Sequence, residues 1–270
     1  MRKTFNYDKD FESNSKPYDI RLDTQLGRFY VINDRILPSV TTVINHDSIN
    51  KSKTDGLKRW RKSVGEDVAE YILMKASDRG TKLHKLIEEY MSGDSQSVRD
   101  VLPVGLFRNM REDIERIDNL RMMECFLFSR HIGGGIAGTV DCVADFDGAF
   151  SVIDFKTTTK RKIEKWCESY FMQTVLYSIL YAEMFGKQPE KSVLIIGGED
   201  GSTDVFTRDI TKDVIEETLG KLEDFKIIDE DWEYIEEIKI QAISERNQNI
   251  LESRDRDYEA KFVNNDGGLS

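Results

Sequence analysis

The sequence predicts an α+β fold in which one central mixed sheet is flanked by helices, with a helical N-terminal part. Two observations lead to this class. Apolar, β-branched segments separated by short glycine-containing turns fill residues 122–155, a pattern typical of antiparallel strands. A helical pattern at residues 168–185 then separates these segments from two further strands. The order helices, strands, helix, strands, helices is typical of a mixed sheet with a helix packed on it.

The N-terminal third is predicted to begin loosely and then to become helical. Residues 1–25 are polar, and we expect them to be loosely ordered. Residues 27–44 predict a hairpin that turns at Asn33-Asp34, although Ser39 to Thr42 could instead cap a helix. Apolar residues at helical spacing then predict helices at 55–73, 78–91 and 104–120.

The remaining elements follow from the same two periodicities. Strands are predicted at 122–128, 136–146, 150–155, 192–196 and 204–208. Helices are predicted at 168–185, 211–225 and 234–251. The expected organisation is a polar segment at 1–25, a main domain at 26–228, an acidic helical extension at 229–252 and a disordered tail at 253–270.

The composition excludes several classes of protein. The chain has 270 residues and a formal net charge of −11, and residues 211–270 hold 8 basic and 17 acidic residues, a net charge of −9. No segment approaches the roughly 20 apolar residues of a membrane span. The first 23 residues resemble neither a secretory signal nor a transit peptide, and the spacing of the three cysteines fits neither zinc nor disulfides. We therefore expect a cytoplasmic protein, in the host cytoplasm if the chain is viral, with no membrane partner.

Two aspartates are predicted to face each other across neighbouring strands. Asp147-Gly148 favours a two-residue type I′ turn, which pairs residues whose numbers sum to 295, so that Asp141 lies opposite Asp154. Lys156 follows Asp154 by two residues and lies on the same face of its strand. A one-residue bulge would instead turn the two aspartates to opposite faces of the sheet.

The carboxylates of Asp141 and Asp154 need a compensating charge if the sheet buries them. A proton or a cation can supply that charge, and oxygen ligands of this kind suit Mg²⁺ or Mn²⁺. Lys156 could then orient an attacking water or stabilise charge on a phosphate oxygen, which predicts metal-assisted phosphodiester hydrolysis. Taken alone, Asp154 and Lys156 also fit an ordinary ion pair on a strand.

Two predicted helices carry further candidates. His84 flanks the apolar face of the 78–91 helix and could donate a nitrogen to a metal, or could be a rim histidine bonded to a carbonyl group. Gln173 and Tyr177 are four residues apart and therefore share one face of the 168–185 helix. A buried helix face with one polar neighbour explains that pair equally well.

Four motifs occur along the chain in a fixed order: Gly80-x-x-x-His84, Gly138-x-x-Asp141, Asp154-x-Lys156 and Gln173-x-x-x-Tyr177. Together they resemble the RecB-like branch of the PD-(D/E)XK nuclease superfamily. Tracts at 37–43, 58–60 and 152–157 are also similar to the family of mitochondrial genome maintenance exonucleases and their phage-encoded relatives. The resemblance extends over about residues 27–225.

The resemblance implies a restriction-endonuclease-like sheet and assigns roles to individual residues. The implied catalytic residues are Lys156, Asp154, Asp141, His84 and Gln173. The implied metal site comprises Asp141, Asp154, His84 and Phe155. Further candidates for the site are Glu124 and Tyr177. Since family members degrade DNA with free ends, mostly single-stranded, the resemblance implies a Mg²⁺- or Mn²⁺-dependent exonuclease in DNA replication, recombination or repair.

Two basic runs, each next to a tryptophan, are candidate contacts for DNA. Basic residues interleaved with an aromatic ring suit a single strand, because they neutralise phosphates while bases stack on the ring. The candidate residues are Lys58, Arg59, Trp60 and Lys62, and Lys160, Arg161 and Lys162 after the strand of Lys156. A solvated helix face is the alternative interpretation of either run.

Three functions are compatible with these patterns. The leading hypothesis is an exonuclease that prefers single-stranded DNA. The second is a structure-specific DNA endonuclease of the same fold. The third is a catalytically inactive DNA-binding module, which the intact set of two acids and a lysine argues against.

Overall fold

A six-stranded mixed sheet forms the centre of the protein, and a three-stranded antiparallel sheet lies beside it. The computed structural model describes residues 3–263, with side chains for residues 3–248 except residue 53. The strands are β1 (Tyr7–Ser13), β2 (Ile20–Thr24), β3 (Gly27–Ile32), β4 (Arg35–Pro38), β5 (Ile117–Ser129), β6 (Ile136–Phe146), β7 (Ala149–Thr158), β8 (Lys191–Gly198) and β9 (Thr203–Asp209). The predicted fold class, a mixed sheet flanked by helices, is confirmed.

Helices cover both faces of the large sheet. Their bounds are α1 (Val40–Asn45), α2 (Asp47–Val64), α3 (Glu66–Met91), α4 (Val101–Ile114), α5 (Glu168–Phe185), α6 (Lys212–Leu222) and α7 (Asp229–Val263). One buried cluster joins α3 and α4 to the sheet, and a second joins α1, α5 and α6 to the other face. Side chains that lie between the large sheet and these helices are therefore shielded from water.

The large sheet has the strand order β1-β5-β6-β7-β8-β9. The β1–β5 and β7–β8 pairs are parallel, and the other pairs are antiparallel. The connection from β7 to β8 is made by α5, because a parallel pair needs a crossover.

The turn between β6 and β7 sets the register that the sequence predicts. Asp147 and Gly148 have φ values of 49° and 80°, as a type I′ turn requires. Pairing runs from Phe146 and Ala149 to Cys142 and Ile153, and every pair sums to 295. Beyond this point β6 remains paired with β5, and β7 with β8. Asp141 and Asp154 are the next residues of the register, where the two strands separate.

The small sheet is held between α7 and the large sheet. Leu22, Phe29 and Val31 on its outer face pack against Ile235 and Trp232 of α7. A second set, on its inner face, packs against the large sheet: Tyr30, Ile32 and Leu37 contact Phe126 and Ala137. The acidic helical extension therefore supports the small sheet.

The N-terminal segment differs from the expectation of loose order. Its residues form β1 and β2, and Tyr7 pairs with Leu120 of β5. Phe5 is buried, and the Lys3 ammonium group donates to the carbonyl oxygens of Glu115 and Ile117. The partners of Lys3 and Tyr7 lie more than 100 residues away, so local composition does not reveal them, whereas β2 pairs with the nearby β3.

Four element boundaries were also predicted wrongly. The helix predicted at 55–73 is interrupted at Gly65, because α2 ends at Val64 and α3 begins at Glu66. Residues 40–44 form helix α1, because the Ser39 hydroxyl accepts from the Thr42 amide as an N-cap, which is the alternative considered above. The helix predicted to reach residue 120 ends at Ile114, and β5 begins at Ile117. Helix α7 continues to Val263, where a disordered tail was expected from residue 253, and residues 264–270 lie outside the described residues.

Candidate active site

Three acidic residues form a row across neighbouring strands where β6 and β7 separate. The pairs on either side of Glu124 place it opposite Asp141, and the β6–β7 register places Asp141 opposite Asp154. Glu124 has a φ of 52°, a left-handed conformation that costs about 1–3 kcal/mol for a residue other than glycine. Such strain persists where the surrounding structure holds it, frequently at functional sites.

His84 on α3 reaches this row of acids. Its Nδ1 lies 3.1 Å from Glu124 Oε1, and its Nε2 lies 2.9 Å from the Phe155 carbonyl oxygen and 3.7 Å from Asp141 Oδ2. Since carbonyl and carboxylate oxygens only accept, both ring nitrogens donate as long as no metal is bound, and the ring is then an imidazolium. Binding of a cation to either nitrogen would release a proton and with it the positive charge of the ring. Burial opposes this charge, but Asp141 and Glu124 outweigh it and raise the pKa of His84 to about 9.

Asp141 is fixed in place from the neighbouring strand. Its Oδ2 accepts a hydrogen bond of 2.9 Å from the backbone N–H of Phe155. The Phe155 carbonyl oxygen faces His84, so one residue of β7 connects the aspartate of β6 to the histidine of α3. The three elements therefore hold one another in register at this point.

Asp154 and Lys156 form the other end of the site. Both side chains are largely buried, and the Lys156 ammonium group donates to Asp154 Oδ1. Asp154 Oδ2 is buried and has no hydrogen-bond partner among the described residues. Burial raises the pKa of Asp154 to about 6, because it outweighs the ammonium group of Lys156, and the carboxylate of Asp141 adds to the rise.

The donor atoms at the site fit a divalent cation. One ligand atom from each of His84, Glu124 and Asp141 lies within 4.8 Å of the others. Two carboxylates with an imidazole nitrogen suit Mn²⁺, and the carboxylate oxygens also suit Mg²⁺. The unpartnered oxygen of Asp154 is a further acceptor that a cation can satisfy. The Phe155 carbonyl oxygen lies 2.9 Å from His84 Nε2, beside these donors.

Gln173 and Tyr177 of α5 line a cavity that is also bordered by His84, Glu124 and Asp141. The cavity has a volume of about 710 Å³, and both side chains are largely buried. Tyr177 packs directly on the backbone of Gly138, where an added Cβ would lie 2.7 Å from the tyrosine hydroxyl. The spacing of Gly138 and Asp141 in the sequence therefore reflects a close approach of α5 to β6.

The first basic run lies on α2. Lys58, Arg59 and Lys62 are exposed, and Trp60 is half-buried. Lys58 forms an ion pair of 2.8 Å with Asp47. Exposed cations next to an aromatic ring are compatible with contacts to a polyanion, and their role remains a prediction.

The second basic run follows β7. Lys160 and Arg161 are exposed and Lys162 is half-buried. The Arg161 side chain and the Lys162 amide both bind the buried Asp204 carboxylate, at 2.7 Å and 3.1 Å. The Arg161 side chain therefore has a structural partner on β9, whereas Lys162 binds that partner through its backbone alone.

Sequence reasoning missed the cations on one side of the same cavity. Lys16, Arg21 and Arg28 line it from the side of the small sheet. Arg21 and Arg28 lie on β2 and β3, which pair with each other, and Lys16 lies between β1 and β2. The alternation of the two arginines with apolar residues along β2 and β3 is the signal that could have revealed a shared face.

The chain is similar to several known proteins. The family model of the PD-(D/E)XK nuclease superfamily matches residues 104–258. Mitochondrial genome maintenance exonuclease 1 of Homo sapiens is 24% identical over 210 residues, 73% of this chain and 58% of that protein. The protein of the same name from Mus musculus is 24% identical over 176 residues, 62% of this chain and 51% of that protein. The chain thus matches little more than half the length of these relatives.

A solved structure, titled as a putative exonuclease from Eubacterium rectale, matches with a TM-score of 0.39 and 11% identity over 55% of this chain and 63% of that chain.

Among the described residues, no helix has the length and apolar character needed to cross a membrane. The family model extends over more than half of the chain and includes all three acids of the row together with Lys156, whereas His84 lies outside it. The chain therefore belongs to the PD-(D/E)XK nuclease superfamily.

Proposed function

We propose that this nuclease is a metal-dependent exonuclease that hydrolyses phosphodiester bonds of single-stranded DNA from free ends, in DNA replication, recombination or repair. The observation that carries the proposal is the row of Glu124, Asp141 and Asp154, with His84 at one end and Lys156 at the other. The names of the two curated relatives support an exonuclease. The open cavity beside the row, about 710 Å³, has room for a nucleotide of an unpaired strand.

Mg²⁺ or Mn²⁺ is the cofactor that this donor set suits. Asp141 and Asp154 would hold it, with Glu124, His84 and the Phe155 carbonyl oxygen as the neighbouring donors. When bound, such a cation neutralises charge on the scissile phosphate and makes water a stronger nucleophile.

The chain's own residues supply orientation and charge. Lys156 is held at the site by its contact with Asp154, so its ammonium group can donate to a phosphate oxygen as negative charge develops there. Asp141 is oriented by the Phe155 amide and keeps a second oxygen for the cation. Gln173 can donate its amide N–H to the substrate from α5, and Tyr177 supports the wall beside it.

Digestion of end-labelled DNA tests the proposal. With Mg²⁺ or Mn²⁺, purified protein should shorten single-stranded DNA, and Asp154→Ala and Lys156→Ala should abolish the activity without loss of folding. Lys191→Ala is a matched control, because Lys191 also pairs with an aspartate, Asp209, on the same sheet but at 3.2 Å on an exposed strand end. Retained activity in both site variants would refute the assignment.

A covalently closed single-stranded circle separates the alternatives. An exonuclease leaves the circle intact, whereas a structure-specific endonuclease linearises it. An inactive binding module retains DNA but releases no nucleotide under any condition. Cutting of the circle would replace the exonuclease proposal with the endonuclease one.

The site of action is part of the proposal. We infer a cytoplasmic protein from the composition of the chain, whereas the two relatives are named for mitochondrial genome maintenance. Imaging of the fluorescently tagged full-length protein in its own cell tests this, and accumulation in an organelle would contradict it.

A further inference from the structure

The cavity at the row of acids has a cationic wall made by the small sheet. Arg21, Asp23, Arg28 and Tyr30 share the face of β2 and β3 that is turned away from α7. Asp23 pairs with Arg28, and Arg21 pairs with Tyr30, across the two strands. Side chains at such positions are direct neighbours, so two guanidinium groups and one carboxylate are brought together.

Asp23 binds both arginines at once. The Arg28 Nε lies 2.8 Å from Asp23 Oδ1, and the Arg21 Nε lies 2.8 Å from Asp23 Oδ2. A guanidinium group has five N–H donors, so one shared carboxylate leaves several of them without an acceptor. The two arginine side chains are 45% and 47% exposed, which keeps these donors accessible. We name this group the Arg21–Asp23–Arg28 clamp, and its net charge is positive.

The opposite charge lies at the floor of the same cavity. Glu88, Glu124 and Asp141 line it together with His84. A DNA strand that approaches these acids is repelled unless cations lie beside its path, since each phosphate carries a negative charge. Lys16 on the same rim adds a further cation.

A second cavity continues from the first past the clamp. It has a volume of about 580 Å³ and shares Arg28 and Thr41 with the first cavity. Its far end is lined by His46 and Asp47, and Asp47 binds Lys58 of the α2 basic run. A route therefore leads from the row of acids past Arg28 to a surface that the sequence predicts to contact DNA.

We propose that the Arg21–Asp23–Arg28 clamp binds a backbone phosphate of the DNA strand other than the phosphate that is hydrolysed. Fork-shaped guanidinium groups bind phosphate through two parallel hydrogen bonds, and Asp23 holds both groups in position before the strand arrives. The clamp contacts no base edge, so it acts on every sequence alike. This inference rests on the proposed action on single-stranded DNA and extends it to the path of the strand.

Steady-state kinetics on a single-stranded oligonucleotide test the clamp. Arg28→Gln should raise KM by about fivefold to tenfold, because one charge-assisted contact to phosphate is lost, and should change kcat by less than about twofold. Between about 50 and 200 mM salt, the slope of log KM against log salt should fall by about 0.7 for each lost phosphate contact. A loss of folded structure alone would lower kcat and leave the salt slope unchanged.

Arg116→Gln is the matched control. Arg116 also binds an aspartate at two points, Asp147 at 2.6 Å and 3.2 Å, but at the far end of the β6–β7 hairpin. Its KM and salt slope should equal those of the wild type. Arg28→Lys should recover part of the affinity, because it keeps the charge and loses the fork. If Arg28→Gln does not fold, Arg21→Gln removes the other guanidinium group of the clamp, with the same lower salt slope expected.

Two failures can be told apart. If the wild type hydrolyses single-stranded DNA and Arg28→Gln has the same KM and salt slope, the clamp is wrong and the proposed function stands. If the wild type does not hydrolyse it, the proposed function fails, and fluorescence anisotropy with a labelled oligonucleotide then tests the clamp alone. Equal affinity of the wild type and Arg28→Gln in that measurement would overturn the clamp.

Discussion

At the scale of single residues, close approach explains why a glycine precedes Asp141 on β6. A Cβ at Gly138 would lie 2.7 Å from the Tyr177 hydroxyl oxygen and 3.0 Å from a ring carbon, and real Cβ atoms are essentially never found below 3.0 Å from another heavy atom. Tyr177 is buried, so either its ring or the strand that carries Asp141 must shift to admit a side chain at this position.

Gly138→Ala should destabilise the protein by about 1–3 kcal/mol, as expected for overpacking, and should also reduce nuclease activity because Asp141 moves. Urea unfolding and the end-label assay measure the two effects. Gly105→Ala is the control, because it lies inside α4 with open space around its Cβ position and should stabilise by up to about 1 kcal/mol. Unchanged stability and activity in Gly138→Ala would contradict the close approach.

The residues of the site differ in how far the sequence could predict them. Asp141, Asp154 and Lys156 were predictable, because they are separated by one short turn whose type is set by Asp147-Gly148. Glu124 was less predictable, since its place opposite Asp141 depends on the register between β5 and β6. That register is shifted by an irregularity earlier in β5. Arg21 and Arg28 were not predicted, because their shared face exists only once β2 and β3 are paired.

At the scale of elements, α7 packs against the small sheet and stabilises it. Ile235 is fully buried against that sheet, whereas Ile240, five residues later on the same helix, is 65% exposed. Lys239 adds an ion pair of 2.7 Å to Asp34 in the turn between β3 and β4. The acidic side chains of α7 therefore face solvent, whereas its apolar side chains pack against the small sheet.

Ile235→Ala should cost about 2–5 kcal/mol, as large-to-small changes in a core do, and should raise KM because the small sheet carries the cationic wall of the cavity. Ile240→Ala offers the same chemical change at an exposed site and should stay within about 0.5 kcal/mol of the wild type. Thermal unfolding of the two variants decides. Equal effects in both would mean that α7 does not support the sheet.

The elements that the sequence predicted well are those whose partners are near in the chain. The β6–β7 hairpin and helix α5 have the predicted bounds to within a few residues, because a turn motif and helical spacing define them locally. β1 was missed, since it is polar on most positions and is stabilised by a parallel pairing with β5. A parallel partner more than 100 residues away leaves no local signal.

At the scale of the whole molecule, the acids at the centre of the sheet couple cation binding to stability. Glu124, Asp141 and Asp154 are brought together by folding, whereas the unfolded chain holds them apart in water. A cation that binds only the folded site therefore stabilises the fold by mass action.

Adding Mn²⁺ or Mg²⁺ at about 100 times its Kd should stabilise the protein by about 2.7 kcal/mol, which corresponds to a rise in Tm of roughly 5–10 °C for a chain of this size. Differential scanning calorimetry in EDTA and in Mn²⁺ measures the shift. Asp141→Asn should lose most of it, and Asp209→Asn, at the exposed end of β9, should keep it. A shift of the same size in both variants would show that the ion binds elsewhere.

The position of α7 also affects the long-range electrostatic field of the protein. Residues 229–248 contain seven acidic and two basic residues, and they lie behind the sheet whose other side carries Arg21 and Arg28. An incoming polyanion is repelled by the α7 side of the molecule and attracted by the side with Arg21 and Arg28. The field therefore orients the polyanion before it contacts the surface. A protein with a net charge of −11 can in this way collide productively with DNA, and added salt weakens the guidance as the screening distance falls.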